Sequence, residues 1–103
     1  MPDKIISKTI EAKIYSFNIW IEETEAVNLK TIFEGLLKKS AFNILKFSDY
    51  HFPIKGYTCF WLLAESHLAI HTFPDDKKSY VELSSCNKEK LDVFVNTLKN
   101  IEF

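Results

Sequence analysis

The run Glu65-Ser66-His67-Leu68-Ala69-Ile70-His71-Thr72, with Cys86 fourteen residues past its end, gathers the side chains best able to do chemistry in this chain. A serine hydroxyl can attack a carbonyl, including that of the residue before it, when the backbone is strained and a base is near. His71 is the candidate base. Cys86 with His71 is a second possible thiol nucleophile and base. His67 and His71 stand four apart. That spacing suits a metal on a helix, but this segment reads as strand and no third ligand stands out, so no metal site is expected. The plain alternative is an ordinary strand. Glu65 and Ser66 would then face water, His67 would be packed, and Cys86 would be a buried cysteine. Strict alternation also puts Ser66 and His71 on opposite faces, so pairing them needs a bend or a break.

Those residues must be held by something, and the composition shows what is available. A chain of 103 residues is one expected domain, 1–103. Hydrophobic residues are 47% and aromatics 15%, enough for a core without disulfides or metal. The net charge of −1 gives no footprint for nucleic acid or an anionic membrane. The pairs Lys38-Lys39 and Lys77-Lys78 read as solvated charges. Met1–Ser7 lacks the apolar core of a signal peptide, and the apolar run Cys59–Ala64 is too short to span a bilayer. Cys59 and Cys86 are expected as free thiols, with Cys59 a buried small hydrophobe. A soluble cytoplasmic domain is expected.

The hydrophobic pattern orders the elements. Lys8 to Glu22 alternates, with Ile10, Ala12 and Ile14 on one parity and Phe17, Ile19 and Ile21 on the other. The switch near Tyr15-Ser16 suggests a bulge or a break. From Ala26 to Ser40, Leu29, Ile32, Phe33 and Leu36 recur at helical spacing. Glu22 to Glu25 put negative charge at its start, and Lys38-Lys39 suit its end. Phe42 to Phe47 returns to strand, and Pro53 and Gly56 mark a connection. Tyr57–Ala64 is apolar on both parities and reads as an interior strand. Leu68 and Ile70 continue in a further strand, Pro74–Lys78 is a turn, and Tyr80–Ser85 alternates again. Asn87 can cap a helix from Lys88 to about Lys99, with Leu91, Phe94, Val95 and Leu98 inward. This order predicts an α+β fold: a two-layer α/β sandwich, mostly antiparallel, with two helices on one face. Trp20, Tyr57, Trp61 and Phe73 make the other face partly apolar, and a second copy is a natural cover.

Taken together, Gly56-Tyr57-Thr58, then Glu65-Ser66-His67-Leu68-Ala69-Ile70-His71-Thr72-Phe73-Pro74-Asp75, then Cys86, resemble the short bacterial and archaeal type of S-adenosylmethionine decarboxylase proenzyme. The match is tight over Tyr50–Asp75 and looser from about Lys8 to Lys99. The resemblance implies a pyruvoyl enzyme made by autocatalytic cleavage at Glu65-Ser66. Ser66 would attack the Glu65 carbonyl to give an ester, and His71 would act as base at the Ser66 α-carbon. A β chain of residues 1–65 and an α chain of residues 66–103 would result, with Ser66 converted to the covalently bound pyruvoyl cofactor. That group would form a Schiff base with the substrate amine and serve as electron sink for decarboxylation. Cys86 would return a proton to the substrate α-carbon.

The resemblance also implies supporting roles. Thr58 stands where a serine usually assists processing. Phe52 and Phe73 match adenine-stacking aromatics, Phe73 at a position that is often Trp. Asp75 matches a ribose-binding acid that is commonly Glu. Asn87 replaces a usual glycine, Asp76–Ser79 is lysine-rich, and members often continue through another strand. The family works as homodimers of processed protomers. The implied function is S-adenosylmethionine decarboxylation for spermidine biosynthesis. The alternatives are a pyruvoyl-dependent arginine or ornithine decarboxylase, suggested by the altered substrate contacts, and a non-catalytic regulatory or binding paralogue, suggested by Thr58 and the chain end.

Overall fold

The structure is a computed structural model and describes residues 13–103. Strand β1 (Tyr15–Ile21) leads to helix α1 (Ala26–Lys39), then to strands β2 (Ile44–His51), β3 (Tyr57–Leu63), β4 (Ser66–Phe73) and β5 (Lys78–Ser85), and to helix α2 (Lys88–Lys99). Ile10 and Ala12 lie outside the described residues. Strand β1 begins at Tyr15, at the expected switch, and its pairing with β5 is regular from Tyr15↔Ser85 to Ile21↔Ser79. A separate irregularity falls in β2, between Ile44 and Lys46.

The five strands form one sheet in the order β1-β5-β4-β3-β2, with each neighbouring pair antiparallel. Strands β2 to β5 follow one another as a meander. Helix α1 carries the chain from one edge strand to the other. Both helices lie on one face, and the fold is the two-layer α+β sandwich that the patterning predicts.

Alternation decides which side of each strand meets the helices. Tyr57, Cys59, Trp61 and Leu63 of β3 are buried, as are Leu68 and Ile70 of β4 and Val81 and Leu83 of β5. They share a core with Leu29, Phe33, Leu36 and Leu37 of α1 and Leu91, Phe94 and Leu98 of α2. The helices meet through Phe33 and Phe94, ring centroids 6.1 Å apart.

Local chemistry fixes the helix ends. Glu23 accepts from the Glu25 backbone N–H at 3.0 Å and from Asn28 Nδ2 at 3.2 Å, placing negative charge just before α1. At the other end the Ser40 hydroxyl donates to the Leu36 carbonyl, and Ala41 turns the chain at φ 64°. The Asn87 side chain caps α2 by accepting from the Lys90 N–H at 3.0 Å.

Among the described residues, no helix lies over the second sheet face. Trp20 packs against Phe73 and Tyr80 there, and Phe60 stacks on His67 at 5.6 Å. Trp20, Phe60, Leu62 and Phe73 remain exposed. No helix among the described residues is long and apolar enough to cross a membrane.

Candidate active site

The β3–β4 hairpin carries nearly every residue of interest, and its turn sets their positions. Leu63 pairs with Ser66, so the loop is only Ala64 and Glu65. Glu65 sits at φ 59°, in the left-handed region that a side chain with a Cβ enters at a cost. The strain therefore stands on the residue whose carbonyl precedes Ser66.

Strand β5 supports this tip. The Ser66 hydroxyl donates to the buried Ser85 hydroxyl at 2.7 Å. Ser85 Oγ in turn accepts from the Asn87 N–H at 2.9 Å, which ties the tip to the start of α2. The Cys86 N–H donates to the Glu65 carbonyl at 3.4 Å. That contact is long, but it polarises the carbonyl that a Ser66 attack would use. Ser66, Glu65, His67, Ser85 and Cys86 line one cavity of about 240 Å³.

Cys86 is exposed, not the buried cysteine that its strand-end position suggests. It follows the last residue of β5 and lies outside the packed alternation, so no partner strand covers it. Cys59 is the buried one, fully enclosed on the helix side. Desolvation pushes its thiol from 9.0 up to about 12, with the nearby Asp49 charge adding to the rise against a hydrogen bond from Tyr57. Cys59 is thus a neutral thiol at physiological pH and no nucleophile. Tyr57, beside it, is also pushed up, chiefly by burial and by donating to Asp49 at 2.8 Å.

His71 is not with Ser66. The two are on opposite faces, and five residues of strand put them about 16 Å apart along the hairpin. His71 instead pairs with Thr58 across β3 and β4, with Thr58 Oγ1 and His71 Nδ1 3.1 Å apart. Next to this pair the Tyr57 N–H donates to Thr72 Oγ1 at 2.8 Å.

Beyond the Thr58–His71 pair, a cleft of about 300 Å³ opens between two short loops. Phe52 stands in the loop after β2, and Phe73 and Asp75 stand at the end of β4 and in the 3-10 turn Pro74–Asp76. All three line the cleft. Two residues of these sites were not anticipated. Ser85 anchors Ser66, and Lys55 binds Asp75. Ser85 could have been found from the register, since it is the partner of Ser66 in β5.

The domain is thus a two-layer α+β sandwich with a serine hydroxyl on a strained hairpin tip and an aromatic cleft with a carboxylate at the far end. The chain belongs to the S-adenosylmethionine decarboxylase family, whose sequence profile matches residues 20–101. It is 31% identical to the S-adenosylmethionine decarboxylase proenzyme of Pyrobaculum neutrophilum, over 93% of this chain and 82% of that one. The proenzyme of a Hydrogenobaculum species is 28% identical over 92% of this chain and 74% of that one. In fold, the chain is similar to the crystal structure of the adenosylmethionine decarboxylase from Aquifex aeolicus, with a TM-score of 0.61 and 21% identity over 84% of this chain and 78% of that one.

Proposed function

We propose that this family member decarboxylates S-adenosylmethionine in the cytoplasm, using a pyruvoyl group it makes from Ser66 by cutting itself after Glu65. One observation carries the reading: Ser66 directly follows a strained turn residue whose carbonyl accepts the Cys86 N–H. Ser66 Oγ adds to the Glu65 carbonyl carbon. The Cys86 N–H meets the negative oxygen that forms, while the Ser66 hydroxyl proton leaves along its hydrogen bond to Ser85 Oγ and is delivered to the Ser66 nitrogen as the bond to that nitrogen breaks. Collapse breaks the Glu65–Ser66 C–N bond and leaves an ester. A base then removes the Ser66 α-proton, and elimination frees residues 1–65 with a new carboxylate. Water hydrolyses the remaining enamine end, releasing ammonia and leaving a ketone at residue 66.

The residues around position 66 suit such a group. The cavity there holds the Cys86 thiol, which can deliver a proton to a carbon within it. A pyruvoyl group supplies an electrophilic carbonyl that takes up a substrate amine and draws electrons from its α-carbon.

The base is the geometric difficulty, and it supports a homodimer. His71 of the same chain lies at the wrong end of the hairpin. A two-fold copy packed at the hairpin tip can bring the partner copy's imidazole to the Ser66 end, and symmetry then makes two equal sites. Phe52, Phe73 and Asp75 bind adenosine in this reading, the rings stacking the base and the acid holding the ribose. The decarboxylated product serves as aminopropyl donor for spermidine.

The test is the intact mass of the purified protein. Two fragments separated at Glu65-Ser66, the second beginning with a pyruvoyl group, support the reading. One full-length chain after long incubation refutes it and favours a non-catalytic paralogue. Carbon dioxide release should follow S-adenosylmethionine; release from arginine or ornithine instead would move the substrate assignment.

A further inference from the structure

The adenosine cleft contains a cation that the proposed chemistry leaves unused. Lys55 Nζ is hydrogen-bonded to the Asp75 carboxylate. Lys55 stands in the loop between β2 and β3, which is closed by the Phe52 N–H donating to the Gly56 carbonyl at 2.9 Å. Gly56 permits that closure at φ 107°, where other residues are strained. A Cβ there would also meet the Phe52 ring at 3.5 Å. The glycine thus lets Phe52 lie close to the loop while Lys55 crosses the cleft. Asp75 stands on the opposite wall, two residues after Phe73. One ion pair therefore joins the two walls, and each wall carries one aromatic ring.

Stability does not account for the pair. The side chains of Lys55 and Asp75 are 54% and 75% exposed, and exposed pairs add little to folding. Their remaining hydrogen-bond capacity is more informative. An ammonium has three donors, and Asp75 takes one. A carboxylate has about four acceptor positions, and Lys55 takes one. Both groups therefore keep unused capacity at the cleft. A vicinal diol matches it, because each hydroxyl both donates and accepts. Aspartate is short, and the lysine stem supplies reach from the other side.

We propose that Lys55 is a second ribose-binding residue, forming with Asp75 a donor–acceptor clamp on the sugar diol. The clamp rests on the adenosine reading of the cleft and adds to it a selection for ribose over deoxyribose.

The experiment measures binding to the purified full-length protein by calorimetry. The probes are 5′-methylthioadenosine and its 2′-deoxy counterpart, both neutral, so that no sulfonium responds to a lost charge. Lys55→Met keeps most of the stem and removes the donors. Methylthioadenosine should bind the variant about tenfold more weakly, as for loss of a charge-assisted hydrogen bond. The deoxy probe should lose less than about threefold, because its matching hydroxyl is already gone. Equal losses for both probes would overturn the clamp, and so would unchanged or tighter binding by Lys55→Met, which would make the lysine a mere blocker of Asp75. Wild-type protein that binds neither probe would instead refute the adenosine reading itself, and the clamp with it. A melting midpoint of Lys55→Met equal to wild type shows that any loss is local.

Discussion

At one end of the β3–β4 hairpin, Glu65 is held at φ 59° and Ser66 follows it, hydrogen-bonded to a buried serine. At the other end, Thr58 and His71 share a 3.1 Å contact beside an aromatic cleft. The tip has a nucleophile, a strained peptide and a thiol, but no imidazole within reach except His67, which stacks on Phe60. The far end has an imidazole, a hydroxyl and an aromatic cleft, but no serine directly after a left-handed residue. In the proposed function each end holds half of what self-cleavage needs. The hairpin keeps the two apart in one chain, and the proposed homodimer is what brings them together.

The strongest way to break this comparison is to disable each end in a different chain. Ser66→Ala alone should leave one uncut chain by intact mass, with no decarboxylation. His71→Ala alone should also stay uncut. Mixed and allowed to exchange subunits, the two should yield cleavage of the His71→Ala chain only, because its intact Ser66 meets the other chain's intact His71. A mixture that stays uncut would rule out the shared site and require the base to come from the same chain.

A smaller effect separates two uses of Cys86. Its N–H serves the Glu65 carbonyl, and its thiol lines the Ser66 cavity. Cys86→Ala keeps the first and deletes the second. Cleavage should therefore continue while kcat falls by about 10²-fold or more, the usual loss of a general acid. Unimpaired turnover would remove the thiol from the reaction.

Smaller again is the far-end hydroxyl. Thr58→Val removes the partner of His71 Nδ1 without changing the side-chain shape much. Cleavage should slow by about five- to tenfold, the weight of one hydrogen bond. Thr58→Ser should retain the wild-type rate, since it keeps the hydroxyl and frees the rotamer. Equal slowing in both would mean that the methyl group, not the hydrogen bond, positions the ring.

Much of this arrangement is legible in the residues. Periodicity gives α1 and α2 to within a residue or so, because Leu29, Phe33, Leu36 and Leu91, Phe94, Leu98 face one core. Parity alone places Ser66 and His71 on opposite faces. The Thr58–His71 pair is also readable: once a two-residue loop pins Leu63 opposite Ser66, counting back along both strands brings Thr58 opposite His71. The exposure of Cys86 is not readable, since it depends on how the chain leaves β5 for α2 rather than on alternation. Nor is the Lys55–Asp75 pair, which depends on how two loops distant in sequence lean toward each other. Contacts along a ladder follow from register, whereas contacts between loops follow from tertiary geometry.

The smallest expected effect tests the strain at the tip, where the left-handed residue directly precedes a serine. Glu65→Gly should be made in the Ser66→Ala background, so that no cleavage complicates unfolding. Glycine occupies φ 59° without the Cβ clash, which a side chain enters at roughly 1–2 kcal/mol, but it gives back part of that through a freer unfolded chain. The net result in urea should be a gain of about 0.5–1 kcal/mol with an unchanged m-value. In the Ser66 background the same change should slow cleavage, because less of the distortion that favours attack is already present in the turn. If Glu65→Gly stabilised the fold yet left the cleavage rate untouched, the left-handed residue would be a matter of turn geometry alone. The reactivity of the tip would then reside in Ser66, the Cys86 N–H and the base delivered from outside.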